Sequence, residues 1–531
     1  MNRHRRVVAV VLIVVATAYV LLFVPPNLTG AKDPNMLATF QVDEWIQYPY
    51  LMSMTTPGRT AGETLRNALV YGHYYYGYPF YVTSALAILP LRAAAGFAPL
   101  EATTSQGTTA NMLVLRQLSP LFMVVGVLAL VYCWTGFEHL GRSLLALLLL
   151  LTAPAVFDNN LWWHPESLTL LFVALTILAL YRDNLRFGRW FVVAAVACGL
   201  AAGTKQAGFW FFLTIAVYLA MRWRADGARQ TLKRGLLFAG IMALAVVVSN
   251  PLLLSPSIAR EIVNTQMLQA QRIALGWDTL MPRGPVPWYQ HTLRLTYGYW
   301  WIYALALAGC VMAALSPGKR RLLALITLTY VIPFAIYLLF FVAAKPARYF
   351  LPVMLPLLAA ISYEGLTSWD RRRPARVVLS LVVVAAVFVQ TGIFLQRDVR
   401  VYADTLRREP LSPAIYFYAQ VAGQYLDQLP PETRITIYRD PSVYVAPREN
   451  SDIVMDWALP SHALIEQIDP DLILLHRYQI NRFADPAFVA NNLDPEHARL
   501  NAQFYAEAAA DTLANYRQLL VTDYGVALIR R

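Results

Sequence analysis

Asp43 and Glu44 stand side by side in Gln41-Val42-Asp43-Glu44-Trp45, a short way past the first long apolar run of the chain. Adjacent carboxylates at a membrane surface suit two kinds of chemistry. One can take the proton of an attacking hydroxyl, or the two can help hold a divalent cation. Three more polar groups interrupt apolar surroundings: His164-Pro165-Glu166, Gly203-Thr204-Lys205-Gln206 and Lys345-Pro346-Ala347-Arg348-Tyr349. A Lys, Arg or Asp at a helix centre costs about 2.5–3.5 kcal/mol on insertion scales, so several at one membrane edge predict a shared polar cavity. The set fits glycosyl transfer from a lipid phosphate. Asp43, Glu44 and Glu166 are the candidate catalytic acids. Lys205, Lys345 and Arg348, with Tyr349, are candidates for holding the phosphate as it leaves. Trp45, His73, Tyr75 and His164 are candidates for holding the sugar or its acceptor. Attack on one face of the sugar with departure from the other predicts inversion at the anomeric carbon.

Each residue also has a plainer explanation. Asp43-Glu44 suits a solvated loop, and Glu166 suits the first turn of a helix, where the dipole favours an acid. Lys205 can snorkel, and Lys345 and Arg348 can anchor a helix at the interface. Tyr71, His73, Tyr74, Tyr75, Tyr76, Tyr78 and Tyr81 read more naturally as an interface belt than as a sugar platform. Asp43, Glu44, His164 and Glu166 leave room for an oxygen-rich divalent site, although no second histidine lies at ligand spacing.

The elements that must position these residues are membrane helices. Of 531 residues, 57% are hydrophobic and 14% charged, against about 25% charged in soluble domains. Apolar runs lie near 7–24, 112–134, 142–157, 166–181, 189–204, 207–221, 235–254, 297–315, 321–343, 348–366 and 376–394, about eleven spans. Arg3/Arg5/Arg6, Arg142, Arg182/Arg186/Arg189, Arg222/Arg224/Arg229/Lys233/Arg234, Lys319/Arg320/Arg321 and Arg371/Arg372/Arg373/Arg376 then fall on one side, which the positive-inside rule makes cytoplasmic. The net charge of +12 is thereby explained by membrane orientation, not by nucleic acid. The run from Pro79 to Ala95, broken by Pro90 and Arg92, would reverse every later loop if it crossed, so it is expected to be an interfacial or re-entrant helix. The first apolar run is followed by no small-residue cleavage site and reads as a retained helix. Cys133, Cys198 and Cys310 lie in apolar runs and are expected to be buried thiols.

The expected architecture is an all-α polytopic domain over 1–394, with outer loops 25–111 and 255–296, followed by an extracytoplasmic α/β domain over 395–531. In the latter, strands are expected at Arg434–Tyr438 and Asp471–His476. A hairpin of Gln518–Thr522 and Gly525–Ile529 is expected around Asp523-Tyr524, and a helix over 498–516.

The ordered motifs resemble the GT-C superfamily of membrane glycosyltransferases, which use polyprenyl- or dolichyl-phosphate sugars. The likeness is to the branch holding protein O-mannosyltransferases and the bacterial lipid A aminoarabinose transferase. Asp43-Glu44 resembles its acid pair in the first outer loop. Tyr75-Tyr76-Gly77-Tyr78-Pro79 is similar to its Gly/Pro/Tyr stretch, and Arg116-Gln117-Leu118-Ser119-Pro120 to its Arg-Leu-Pro-like segment. Pro165-Glu166 stands where many members have Pro-Asp. Gly199 to Lys205 resembles a Gly-x-x-x-x-Thr-Lys segment, and Ala347-Arg348-Tyr349-Phe350-Leu351-Pro352 an Ala-Arg-Tyr-x-Leu-Pro-x-x-Pro segment with its second proline displaced to Pro356. The resemblance implies Asp43 as base with Glu44 supporting it, Glu166 orienting the acceptor or a metal, and Lys205 and Arg348 as donor-phosphate ligands. It implies a lipid-linked sugar donor, a glycan, lipid or protein acceptor, membrane lipids as neighbours and no nucleic acid. A bacterial plasma membrane with a cytoplasmic N-terminus is the expected location. The competing class is a transporter or flippase of lipid-linked sugars. The sequence lacks the internal hydropathy repeats usual in transporters.

Overall fold

The computed structural model describes residues 3–367 and 374–531. The basic segment Arg371/Arg372/Arg373 lies outside the described residues. The chain is mostly helical. It begins with α1 (Arg3–Leu22), and two outer helices follow, α2 (Pro34–Phe40) and α3 (Val42–Met54). α2 starts where Asp33 accepts the Met36 N–H at 2.8 Å and Pro34 fills the first turn. α3 follows after a single residue, Gln41, whose extended backbone (φ −150°) turns the chain. The acid pair is therefore in the first turn of a helix, not in a loop. There the unpaired N–H groups and the helix dipole favour negative charge.

The expected outer loop 25–111 is largely helical and continues into α4 (Tyr78–Ala94). α4 passes through Pro90 unbroken, and its Arg92 is buried, donating to Thr55 Oγ1 at 3.1 Å and to the Ala98 carbonyl at 2.6 Å. The tyrosines at 71–81 do not form a belt. Tyr71, Tyr74, Tyr76, Tyr78 and Tyr81 are all buried in one cluster with Phe80, Trp163 and Leu168. A belt needs half its ring area in lipid headgroups. Here the rings pack on each other, with Tyr71 stacked on Tyr81 at 5.0 Å.

The bundle is built from α5 (Ser105–Thr135), α6 (Leu140–Leu151), α7 (Glu166–Asp183), α8 (Arg189–Lys205), α9 (Phe212–Ala220), α10 (Trp223–Ser249), α11 (Pro256–Leu275), α12 (Trp300–Leu315), α13 (Lys319–Phe341), α14 (Leu351–Leu358) and α15 (Pro374–Leu406). α11 occupies the expected outer loop 255–296. Helix covers every apolar run expected to span, but unevenly. Among the described residues, five helices are long and apolar enough to cross a membrane, or six if the pair Pro285–Thr296 and Trp300–Leu315, bent by 90°, is one span. The run 142–157 breaks before Pro154, which cannot donate to the helix ladder. The run 348–366 is a short α-helix between two 3-10 turns. Arg142 and Arg320 both approach Glu364, at 3.9 and 3.8 Å, at the end of the bundle remote from Asp43.

α15 runs on past residue 394 to Leu406, and α16 (Pro413–Gln424) follows. The last part of the chain is a five-stranded sheet of β1 (Ile435–Arg439), β2 (Ser451–Val454), β3 (Leu472–His476), β4 (Tyr516–Val521) and β5 (Gly525–Arg530), in the order β2-β1-β3-β5-β4. β1 pairs in parallel with β2 and β3; β5 is antiparallel to β3 and β4. Side chains alternate across it. Ile437, Leu472, Leu474 and Ala527 face α16, together with Met36 from α2. Ile473, Leu475, Val526 and Leu528 face α17 (Pro495–Ala510). The helix expected over 498–516 stops at Ala510, because Asp511 turns left-handed (φ 58°), and Tyr516 opens β4 instead. Met36 joins this sheet core to the outer helix that leads into Asp43.

Candidate active site

A cavity of about 870 Å³ lies between α3, the segment 73–76, the ends of α8 and α11, and the C-terminal sheet domain, which roofs it. Asp43, Ile46, Gln47 and Tyr50 line it, the i, i+3, i+4, i+7 face of α3. Of the residues expected from sequence, Asp43, His73, Tyr75, Lys205, Arg348 and Tyr349 meet here. A larger cavity of about 1420 Å³, beside Arg142 and Glu364, shares no lining residue with it.

The charged groups form one connected cluster. Arg348 Nη2 donates to Asp43 Oδ2 at 3.3 Å, and its Nε lies 3.5 Å from Glu166 Oε1. The Lys205 ammonium is paired with Glu166 and sits over the rings of Tyr76 and Tyr349, 5.4 and 5.0 Å from their centroids. Arg348 lies 4.7 Å over Trp162. Two carboxylates thus face two cations. His164 is buried behind Asp43, its Nδ1 against Glu166 and its Nε2 2.7 Å from the Tyr76 hydroxyl and 3.6 Å from Asp43 Oδ2.

One close junction holds this cluster. The Gly77 N–H donates to the Thr204 carbonyl at 3.1 Å, which docks the 73–77 segment on the last turn of α8. A Cβ at Gly77 would lie 1.6 Å from the Gly203 carbonyl oxygen, so only glycine allows that approach. Tyr76 and Lys205 flank this contact.

Electrostatics set the state of each group. Burial works to raise the Asp43 carboxyl; the adjacent His164 ring and then the Arg348 guanidinium outweigh it and hold it well below the usual carboxylate range. Burial pushes the His164 ring well below the usual histidine range. Burial likewise lowers His73 to about 4, and its Nδ1 meets the Tyr81 hydroxyl at 2.5 Å. Without its guanidinium neighbour, Asp43 should titrate closer to an ordinary acid. In an Arg348→Ala variant, the pH profile of kcat/KM should therefore gain an acid limb, falling as pH drops toward the ordinary carboxylate range of about 4. The parent should stay flat there, and a pH series on both proteins checks this.

Other expected residues are placed elsewhere. Glu44 is fully buried and faces away from the cavity. Arg116 donates to both its oxygens at 2.6–3.1 Å, and the Trp163 N–H donates to Oε1 at 2.7 Å. Its lone pairs are spent, so it cannot touch a substrate. Lys345 does not reach the cluster, because its ammonium donates to the carbonyls of Pro282 and Ala343, at 2.6 and 2.8 Å. Trp45 lies off the lining face of α3 and packs against Trp457 at 6.5 Å. His164 is behind the cavity wall, not on it. Glu166 lines a narrow adjoining groove instead.

That groove, of about 110 Å³, is lined by Lys205 and Arg348 and walled by Trp210, by Ile273 of α11 and by Phe334 and Leu338 of α13. The suggested metal set does not fit an oxygen-rich divalent ion. Glu44 points elsewhere, and Asp43 and Glu166 are already neutralised by Arg348 and Lys205. Among the described residues, no group of three or more His, Cys, Asp or Glu has the arrangement of a metal site.

Several cavity residues carry no sequence signature. Arg272 lines the wall one helical turn from Gln269, which faces both cavity and groove. Trp277 follows Gly276 with a left-handed backbone (φ 76°), unusual for a bulky side chain and typical of strained functional sites. The roof supplies Trp457, Gln479 and Arg482.

No family model matches the sequence, and no curated protein sequence matches it. Solved structures do. ArnT from Cupriavidus metallidurans bound to undecaprenyl phosphate aligns with a TM-score of 0.54 at 13% identity, over 98% of this chain and 97% of that one. Its apo state gives the same score and identity over 98% of each chain. The archaeal oligosaccharyltransferase AglB from Archaeoglobus fulgidus, in complex with an inhibitory peptide and a dolichol-phosphate, aligns with a TM-score of 0.47 at 10% identity, over 97% of this chain and 74% of that one. The likeness to ArnT shows that the chain has the same fold.

Proposed function

We propose that this protein transfers a sugar from a polyprenyl-phosphate donor to an acceptor hydroxyl, on the extracytoplasmic side of a bacterial plasma membrane. The observation that carries the reading is the junction of an apolar membrane groove with a two-carboxylate, two-cation cluster. The groove suits the first isoprenyl unit of the chain next to the phosphate, and the cations at its end suit the phosphate. In ArnT, which has the same fold, undecaprenyl phosphate is the bound lipid.

The chemistry follows from the charges. The donor phosphate takes Lys205 and Arg348, with Tyr349 beside them. Arg348 then shares its charge between phosphate and Asp43, which leaves Asp43 more basic than in the empty site, where the guanidinium holds it down. The acceptor oxygen attacks the anomeric carbon, and the bond from that carbon to the phosphate oxygen breaks with its electron pair. The polyprenyl phosphate leaves as an anion needing no added proton, while the acceptor proton passes to Asp43. Attack opposite the leaving group inverts the anomeric carbon. Glu166 holds Lys205 and acts through it, and His164 packs behind Asp43. Glu44, bound to Arg116, fixes the first turn of α3.

The test is binding of undecaprenyl phosphate to the detergent-solubilised full chain, followed by tryptophan fluorescence. Lys205→Ala and Arg348→Ala should each weaken it by about tenfold or more, as loss of a charge-assisted hydrogen bond of about 1.5–3 kcal/mol implies. Affinity unchanged in both variants would remove the donor assignment.

A further inference from the structure

The roof of the cavity carries groups that donor binding leaves unused. Trp457 is 54% exposed, although it stands over an enclosed space. It is held there by a built loop. The Ala458 carbonyl meets the His497 ring nitrogen at 2.7 Å and accepts from Asn501 Nδ2 at 3.1 Å; Asn501 also donates to the Pro460 carbonyl at 3.0 Å. Leu459 turns left-handed (φ 65°) to allow this, and Trp45 of α3 packs against the indole. A hydrophobic side chain fixed this firmly in the open is placed to meet a ligand.

Two amides face the same space. Gln47 is fully buried on the lining face of α3, and neither its Oε1 nor its Nε2 has a hydrogen-bond partner. Gln479 lines the opposite wall from the roof, and its Oε1 is buried and also unpaired. A buried amide left unpaired costs about 1–3 kcal/mol, so the fold keeps these at a loss unless a ligand completes them. Each primary amide offers donors and an acceptor, the complement of a hydroxyl that is itself both.

We propose that the acceptor is a neutral saccharide, with one ring stacked on Trp457 and its hydroxyls paired with Gln47 and Gln479. This rests on the transfer reading of the same cavity. The C–H face of a sugar ring is flat and apolar while its rim is polar, which matches an indole flanked by amides. The nearby roof charges are spent on each other: Arg482 Nη2 binds Asp278 Oδ2 at 3.1 Å, and Asp494 caps α17. Arg272 lines the cavity one turn from Gln269, which also lines the donor groove. No residue of the described strands lines the cavity, so an extended peptide has no sheet edge to join.

The experiment is saturation-transfer NMR on the full chain without donor. The probes are neutral tetrasaccharides of mannose, glucose, galactose and N-acetylglucosamine, alongside a serine-rich tetrapeptide. At least one tetrasaccharide should bind. Trp457→Ala and Gln47→Ala should each weaken it about tenfold, and Trp457→Tyr should recover most of the loss. Failure of all four saccharides to bind, peptide binding in their place, or affinity held within twofold in Trp457→Ala would overturn the proposal. The assay contains no donor, so its failure is distinct from failure of the transfer reading, which undecaprenyl phosphate binding and the Asp43 variant judge separately.

Discussion

Asparagine in place of Asp43 should lower kcat for sugar transfer roughly a thousand-fold, the middle of the range for loss of a positioned general base. The amide keeps the size of the carboxyl and one acceptor for Arg348, but it cannot take the acceptor proton. Donor binding should survive, because Lys205 is untouched and Arg348 loses only a 3.3 Å partner. The effect should therefore appear in kcat, with KM for the donor changed by a few-fold at most. A labelled prenyl-phosphate sugar with a crude acceptor fraction gives the rate, and thermal unfolding controls for the fold. Asp43→Glu separates position from charge. It restores a base but pushes the carboxylate about one methylene into a cluster already packed against Arg348 and His164, so partial activity is expected. Full activity in Asp43→Asn would move the base elsewhere.

The second large effect is on stability. Arg116 and Glu44 are both fully buried, and each nitrogen of the guanidinium group donates. It donates to Glu44 and to the carbonyls of Asn27 and Thr29, at 3.0 and 2.7 Å. Arg116→Ala strands an uncompensated carboxylate in the interior, which costs about 3–5 kcal/mol. The variant should show a much lower midpoint of thermal unfolding, or fail to accumulate. Removing the pair together, as Glu44→Leu with Arg116→Met, should recover much of the loss, because desolvation of both charges is avoided. Activity in the double variant should remain low, since three segments lose their common tie: the chain at 27–29, the start of α3 and Trp163. A double variant as unstable as Arg116→Ala would show that shape, rather than charge, governs this site.

The contrast between these two acids shows how far sequence alone reaches. Asp43 and Glu44 differ by one position on a helix, a rotation of about 100°, and that decides which meets the cavity and which meets Arg116. The sequence offers no means of phasing that helix, because α3 contains Pro49, lacks a side-chain cap and was expected to be loop. Lys205, Arg348 and Tyr349 were readable, because charge at the edge of an apolar run is rare. Lys345 satisfied the same rule, yet it is taken up by the carbonyl of Pro282, a partner no local pattern reveals. β1, β3 and the terminal hairpin were legible from their apolar runs. β2 was not, because Ser451–Val454 is a short edge strand with polar residues and little buried surface. Gln47, Trp457 and Gln479 belong to no motif, and only the folded chain brings them together.

The contact between Gly77 and Gly203 has a consequence for how this chain can diverge. The obstacle at Gly77 is a backbone carbonyl, so no exchange of side chain at 203 relieves it. Substitutions that leave this backbone approach untouched do not meet the obstacle. Insertions and deletions cannot fall between Tyr76 and Gly77, or between Gly203 and Lys205, without sliding an aromatic wall past the lysine it cradles. Distant relatives should therefore be aligned on these two spacings, where gaps are forbidden, before any residue identity is weighed.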